Sequence, residues 1–176
     1  MAKALPIIAV SPGGSLSENA PLILHTRLEE MYHFAPLALH PDNVAELHEM
    51  RIAAKRLRYT MEIFGAAFAS EAAAKDFEAL YDKVKSVQEQ IGDIHDADVR
   101  IPILQDFLHK HAAPRPEIRS GLETLIAAQH QERQAGYAAF QKYWAKLQAQ
   151  GFKRRFLQML ALLTPPPTEE TVPAHG

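Results

Sequence analysis

Between Leu47 and Phe64 the chain repeats two kinds of side chain in step with one another. His48, Arg51, Lys55 and Arg58 recur at intervals of three, four and three, and Leu47, Met50, Ala54, Leu57, Met61 and Phe64 keep a similar step beside them. At about 100° per residue these sets fall in adjoining sectors of one α-helix. The apolar sector requires other helices to cover it, and the cationic sector then lies along the border of the core. Cations crowded at such a border repel one another and lose hydration, so a chain that places them there is expected to meet an anionic partner. A polyanion is the simplest partner of that kind.

The rest of the chain carries the same period. Leu24, Leu28, Met31 and Ala35 predict a first helix ending near Pro36 and Pro41, with Asp42 or Asn43 capping a second that runs to about Gly65. Ser70 is expected to cap a third, with Phe77, Leu80, Val84, Val87 and Ile91 on its inner face as far as Gly92. After I-G-D-I-H-D-A-D-V a fourth helix is predicted through Ile103, Leu104, Phe107 and Leu108, stopping before Pro114 and Pro116. A long fifth follows, with Leu122, Ile126, Arg133, Tyr137, Phe140, Trp144 and Leu147 on one face, and a sixth spans about 152–163. No segment alternates with period two, so the expected class is all-α, a helical bundle.

Composition narrows the chemistry. With 176 residues the chain suits one domain: a flexible arm over 1–18, a helical domain over 19–163 and a Pro-rich disordered tail over 164–176. The formal net charge is −2, so affinity for phosphate chains must come from local placement of Lys and Arg. The absence of cysteine excludes disulfides and thiolate chemistry and suits a reducing compartment, with cytoplasm as the expectation. The short apolar run Leu5–Val10, broken by Pro6, is too weak for a secretory signal, and no segment nears the roughly 20 apolar residues of a membrane span.

The segments H-E-M-R-I-A-A-K-R-L-R-Y-T-M-E-I-F and Q-E-Q-I-G-D-I-H-D-A-D-V resemble the CHAD domain, the conserved histidine α-helical domain, over roughly residues 20–150. The resemblance implies two four-helix repeats around a basic channel, binding of inorganic polyphosphate and association with polyphosphate granules. This chain resembles one repeat, followed by C-terminal helices. No second H-x-x-R-x-x-x-K copy is present, so a two-sided channel implies a homodimer. Carried over by position, His48, Arg51, Lys55 and Arg58 are the expected polyphosphate ligands, and Arg56 matches the second basic position with a different projection. Arg133 joins them on geometry, as an arginine in an aromatic stripe able to stack on Tyr137 and extend into a polar groove. Arg27 and Lys83 flank apolar faces and are candidates for the same groove. Protonation of His48 is expected to be suppressed among cations until phosphate arrives, which makes binding stronger at mildly acidic pH.

Asp93, His95, Asp96 and Asp98 include an adjacent His-Asp pair resembling metal-dependent phosphohydrolases, but the remaining ligands of such a centre are not assignable. Asp96 is instead expected to cap the fourth helix or to orient a neighbouring cation. A di-iron bundle needs paired Glu-x-x-His units, and only Glu30 to His33 fits. No cofactor or metal is expected, and no residue is assigned a catalytic role. The acid-free stretch from Arg133 to Thr168 holds Lys142, Lys146, Lys153, Arg154 and Arg155. It leaves nucleic acid or an acidic protein as an alternative partner, although no base-reading module is evident.

Overall fold

The computed structural model describes residues 4–68, 70–111 and 116–163. Among them are five α-helices and no strand: α1 Leu16–Ala38, α2 Val44–Phe64, α3 Glu71–His111, α4 Pro116–Ala149 and α5 Phe152–Ala161. The all-α bundle expected from the periodicity is the fold observed. Helix α1 packs on α2, α2 on α3 and α3 on α4, and the short α5 closes against α1, α3 and α4.

Local chemistry sets the ends of these helices. Ser15 opens α1 with a capping box: its hydroxyl accepts from the Glu18 amide at 3.3 Å, and the Glu18 carboxylate accepts from the Ser15 amide at 2.6 Å. Helix α1 continues through Pro36 to Ala38. Asn43 stands at the N-cap of α2, but its side chain donates back to the Leu37 carbonyl at 3.0 Å and so ties the turn instead of capping the helix. The Ser70 hydroxyl caps α3 by accepting from the Ala73 amide at 3.2 Å. Gly151 takes φ +66°, and this left-handed step turns α4 into α5.

Residues 16–18 of the segment expected as an arm are helical. Helix α1 begins at Leu16, and the described segment before it is fastened by the Leu5 carbonyl, which accepts from Arg27 Nη2 at 3.1 Å, and by the Ser11 amide, which donates to Asn19 at 3.0 Å. The Pro-rich tail at 164–176 lies outside the described residues.

The third and fourth predicted helices are one, α3, 41 residues long. The apolar step does not stop at Gly92: Ile91, Ile94, Ala97 and Ile101 are all buried, and their packing overrides Gly92, Asp93 and Pro102 as breakers. Buried residues of the main core end at Ile94 on α3 and resume at Tyr137 on α4. Beyond those points α3 and α4 run on as an antiparallel arm past the start of α2.

In the body of the bundle Leu47, Met50, Ala54, Leu57 and Met61 are fully enclosed, as the stripe on α2 requires. Tyr137, Phe140, Trp144 and Leu147 fill the opposite side from α4. The Tyr137 hydroxyl donates to the Ala38 carbonyl at 2.7 Å, satisfying the last turn of α1. Burial pushes the Tyr137 phenol up to about 12.

Candidate functional site

The cationic row on α2 runs along the seam where α2 meets α3. At its N-terminal end His48 stacks on His95 of α3, with ring centroids 4.3 Å apart and planes 35° from parallel. One turn further, the Arg51 guanidinium passes over Gly92, where an added Cβ would lie 3.8 Å from Nε. A larger side chain at 92 would extend into the space beside that guanidinium. Arg51, His95, Asp96, Val99 and Arg100 line an open depression of about 500 Å³.

Charge in this seam is only partly matched. Among the described residues no carboxylate pairs with Arg51 or Lys55, and the buried Nε of Arg51 has no hydrogen-bond acceptor. Nδ1 of His48 is likewise buried without a partner. Lys55 is exposed, with its ammonium 5.6 Å from the centre of the Tyr59 ring. Arg58 lies 4.7 Å from that ring and has one acidic neighbour, Glu62, at 3.4 Å, which also accepts from the Tyr81 hydroxyl at 2.7 Å. Burial, and then the positive neighbours His48 and Arg51, hold His95 below the usual histidine range, with Asp96 and Asp98 opposing. The result is a line of donors with few acceptors, suited to charge-assisted bonds with an anionic ligand.

The structure gathers His48, Arg51, Lys55 and Arg58 along this seam and places the remaining candidates elsewhere. Arg27 and Arg56 both pair with Glu30, which is buried between them, and Arg27 is itself buried. This triad links α1 to α2 away from the seam. Arg56 follows Lys55, so one step of about 100° turns it from the row toward α1. The Arg133 guanidinium, instead of stacking on Tyr137, pairs with Asp98 and donates to the Pro41 carbonyl at 3.0 Å. It lines a separate cavity of about 490 Å³ with Pro41, Asp42, Val44 and His130. Lys83 sits nine residues before Gly92, half a turn away on α3, and its ammonium donates to the Ala79 carbonyl at 3.2 Å.

Asp96 lies inside α3 and caps no helix. Its side chain lines the depression, and its carbonyl accepts from Arg100 Nε at 3.0 Å. Asp98, close by in sequence, faces Arg133, so the Asp-rich stretch divides between two sides of α3. His95 is the member of the seam that the motif reading left out. Its signal was present in sequence, since it falls one helical turn after Gly92 and so on the same face.

No curated protein and no solved structure matches the chain. The family model for the CHAD domain matches residues 9–105, which covers α1, α2 and most of α3 and therefore contains the whole seam. That match spans more than half of the 176 residues, although it stops short of the 20–150 expected from the motifs. The chain belongs to the CHAD domain family.

Proposed function

We propose that the chain binds inorganic polyphosphate without transforming it, through the α2 row of His48, Arg51, Lys55 and Arg58 with His95 of α3 beside it. One observation carries this reading: Arg51, beside two stacked imidazoles, is a guanidinium at a core border with a buried, unsatisfied nitrogen and no carboxylate paired with it among the described residues. A polyanion lying along the seam supplies the missing acceptors. From His48 to Arg58 the row rises about 15 Å at 1.5 Å per residue, so a linear chain of phosphates can meet several donors at once. Arg56, Arg27, Lys83 and Arg133 contribute through folding or through other surfaces, while Asp96 orients the Arg100 side of the depression.

A single row offers one wall, and a homodimer supplies a second. No helix among the described residues is long and apolar enough to cross a membrane. We place the protein in the cytoplasm, with polyphosphate granules.

The test is titration of full-length protein with long-chain polyphosphate, comparing wild type with the Arg51→Ala/Lys55→Ala double variant. Loss of binding with an unchanged thermal transition supports the assignment. Retained binding, or release of orthophosphate on incubation with Mg²⁺, overturns it.

A further inference from the structure

The arm that α3 and α4 extend past α2 carries an exposed apolar stripe on α3, with the His111 ring packed on its last member, Phe107, at 4.9 Å between centroids. Val99, Ile103 and Phe107 are 46, 61 and 48% exposed and follow one another at intervals of four. They lie nearly opposite the face that α3 turns toward α4, where Ala97 and Ile101 are buried. The stripe also continues the face of α3 that α2 covers: one turn earlier this face holds His95, on which His48 is stacked close to the start of α2. One turn past His48, α2 reaches its first residue, Val44, which lines the separate cavity with Ile101 and Pro102; Ile103 and Phe107 lie further along α3.

Charges around the stripe select what fits there. Asp96 precedes Ile103 by seven residues and Lys110 follows it by seven; Val99 and Phe107 stand four before and four after. At about 100° per residue Asp96 and Lys110 lie within roughly 20° of Ile103. The face is therefore complementary to itself when reversed. In an antiparallel pairing about Ile103, Ile103 meets its own copy, Val99 meets Phe107, and Asp96 meets Lys110 on both sides of the axis. The carboxylate of Asp96 forms no ion pair among the described residues, and Lys110 holds only an exposed contact with Asp106 at 2.9 Å, so both can be recruited at small cost.

We propose that two copies of this chain dock through this face of α3, antiparallel about a twofold axis at Ile103. The contact spans about 21 Å of helix from Asp96 to Lys110. Val99 and Asp96 belong both to the stripe and to the depression at Arg51 and His95. The partner's Phe107 and the partner's Lys110 therefore wall one end of the seam, and the two rows come to lie on one assembly. The role of that wall in ligand binding rests on the polyphosphate reading, whereas the docking itself does not.

Because the chain contains no cysteine, one variant tests the geometry directly. Ile103→Cys in the full chain, oxidised under mild conditions, yields a covalent dimer, and Leu125→Cys on α4 does not. In sedimentation equilibrium at micromolar concentration the wild type is dimeric. Asp96→Lys weakens the dimer by roughly tenfold or more, and Asp96→Lys combined with Lys110→Asp restores it. A monomeric wild type overturns the proposal, as does a dimer that survives Ile103→Glu or cross-links through Leu125→Cys instead. The Arg51→Ala/Lys55→Ala variant keeps the readings separable: a dimer that retains polyphosphate binding refutes the ligand assignment and leaves the interface standing.

Discussion

Replacing Glu30 by Gln removes one negative charge from between two guanidiniums. The Glu30 side chain is 2% exposed, Arg27 10% and Arg56 30%, so the pairing sits in a medium far less polar than water on one side and is partly wetted on the other. Removing one partner of a buried ion pair costs about 3–5 kcal/mol because the remaining charge is left poorly solvated. Partial exposure of Arg56 moves the expectation to the lower end, about 3 kcal/mol, and in a chain of this size that lowers Tm by about 6–12 °C. The hydrogen bond from Arg27 to the Leu5 carbonyl should loosen as well, making the segment before α1 more open to protease. Urea denaturation followed by helical circular dichroism measures the first effect, and limited proteolysis the second. A loss below about 1 kcal/mol would refute the placement of these arginines in a structural triad and return them to the list of ligand donors.

Further expectations follow from the same geometry. His95 is held below its ordinary range by burial and by His48 and Arg51, so its neutral form favours the fold; this contribution is present above about pH 6.5 and is lost as pH falls through the lowered folded value. An anion in the seam favours the protonated form, so polyphosphate affinity should rise as pH falls from 7.5 toward 5.5, and His95→Asn should flatten that profile in calorimetric titrations. Tyr137→Phe removes the donor to the Ala38 carbonyl and should cost about 1–2 kcal/mol in urea unfolding, with no change in polyphosphate affinity. Gly151→Ala forces a Cβ onto a backbone at φ +66° and to 3.3 Å from Arg154, so about 1–2 kcal/mol of stability should be lost on thermal unfolding.

Much of the architecture is legible in the sequence because its information is periodic. The apolar stripe on α2, the cap at Ser70 and the aromatic face of α4 depend on local spacing that solvent exclusion enforces directly. The cationic row is legible for the same reason: four residues on one helix need no knowledge of the tertiary fold to share an edge. Where local and long-range preferences compete, the reading diverges from the fold. Gly92, Asp93 and Pro102 are breakers taken singly, yet Ile94, Ala97 and Ile101 keep the inner face in register and carry α3 through them. Partner choice across helices is the other hidden layer. Arg27 and Glu30 stand three apart on α1, a spacing that allows their pairing, but nothing in the sequence reveals that Arg56 joins them, because that contact depends on how α1 lies on α2. Arg133 finds Asp98 for the same kind of reason, through the packing of α4 on α3.

The most direct measurement of ligand binding through the seam is the dependence of long-chain polyphosphate affinity on salt, in wild type and in the Arg51→Ala/Lys55→Ala variant. Arg51, Lys55 and Arg58 supply three permanent cations, and at about 0.7–0.9 per released counterion the wild-type slope of log K against log salt should be roughly −2 to −3. The variant should retain roughly a third of that slope and bind much more weakly. A wild-type slope near zero, or identical slopes for the two proteins, would contradict binding through these residues.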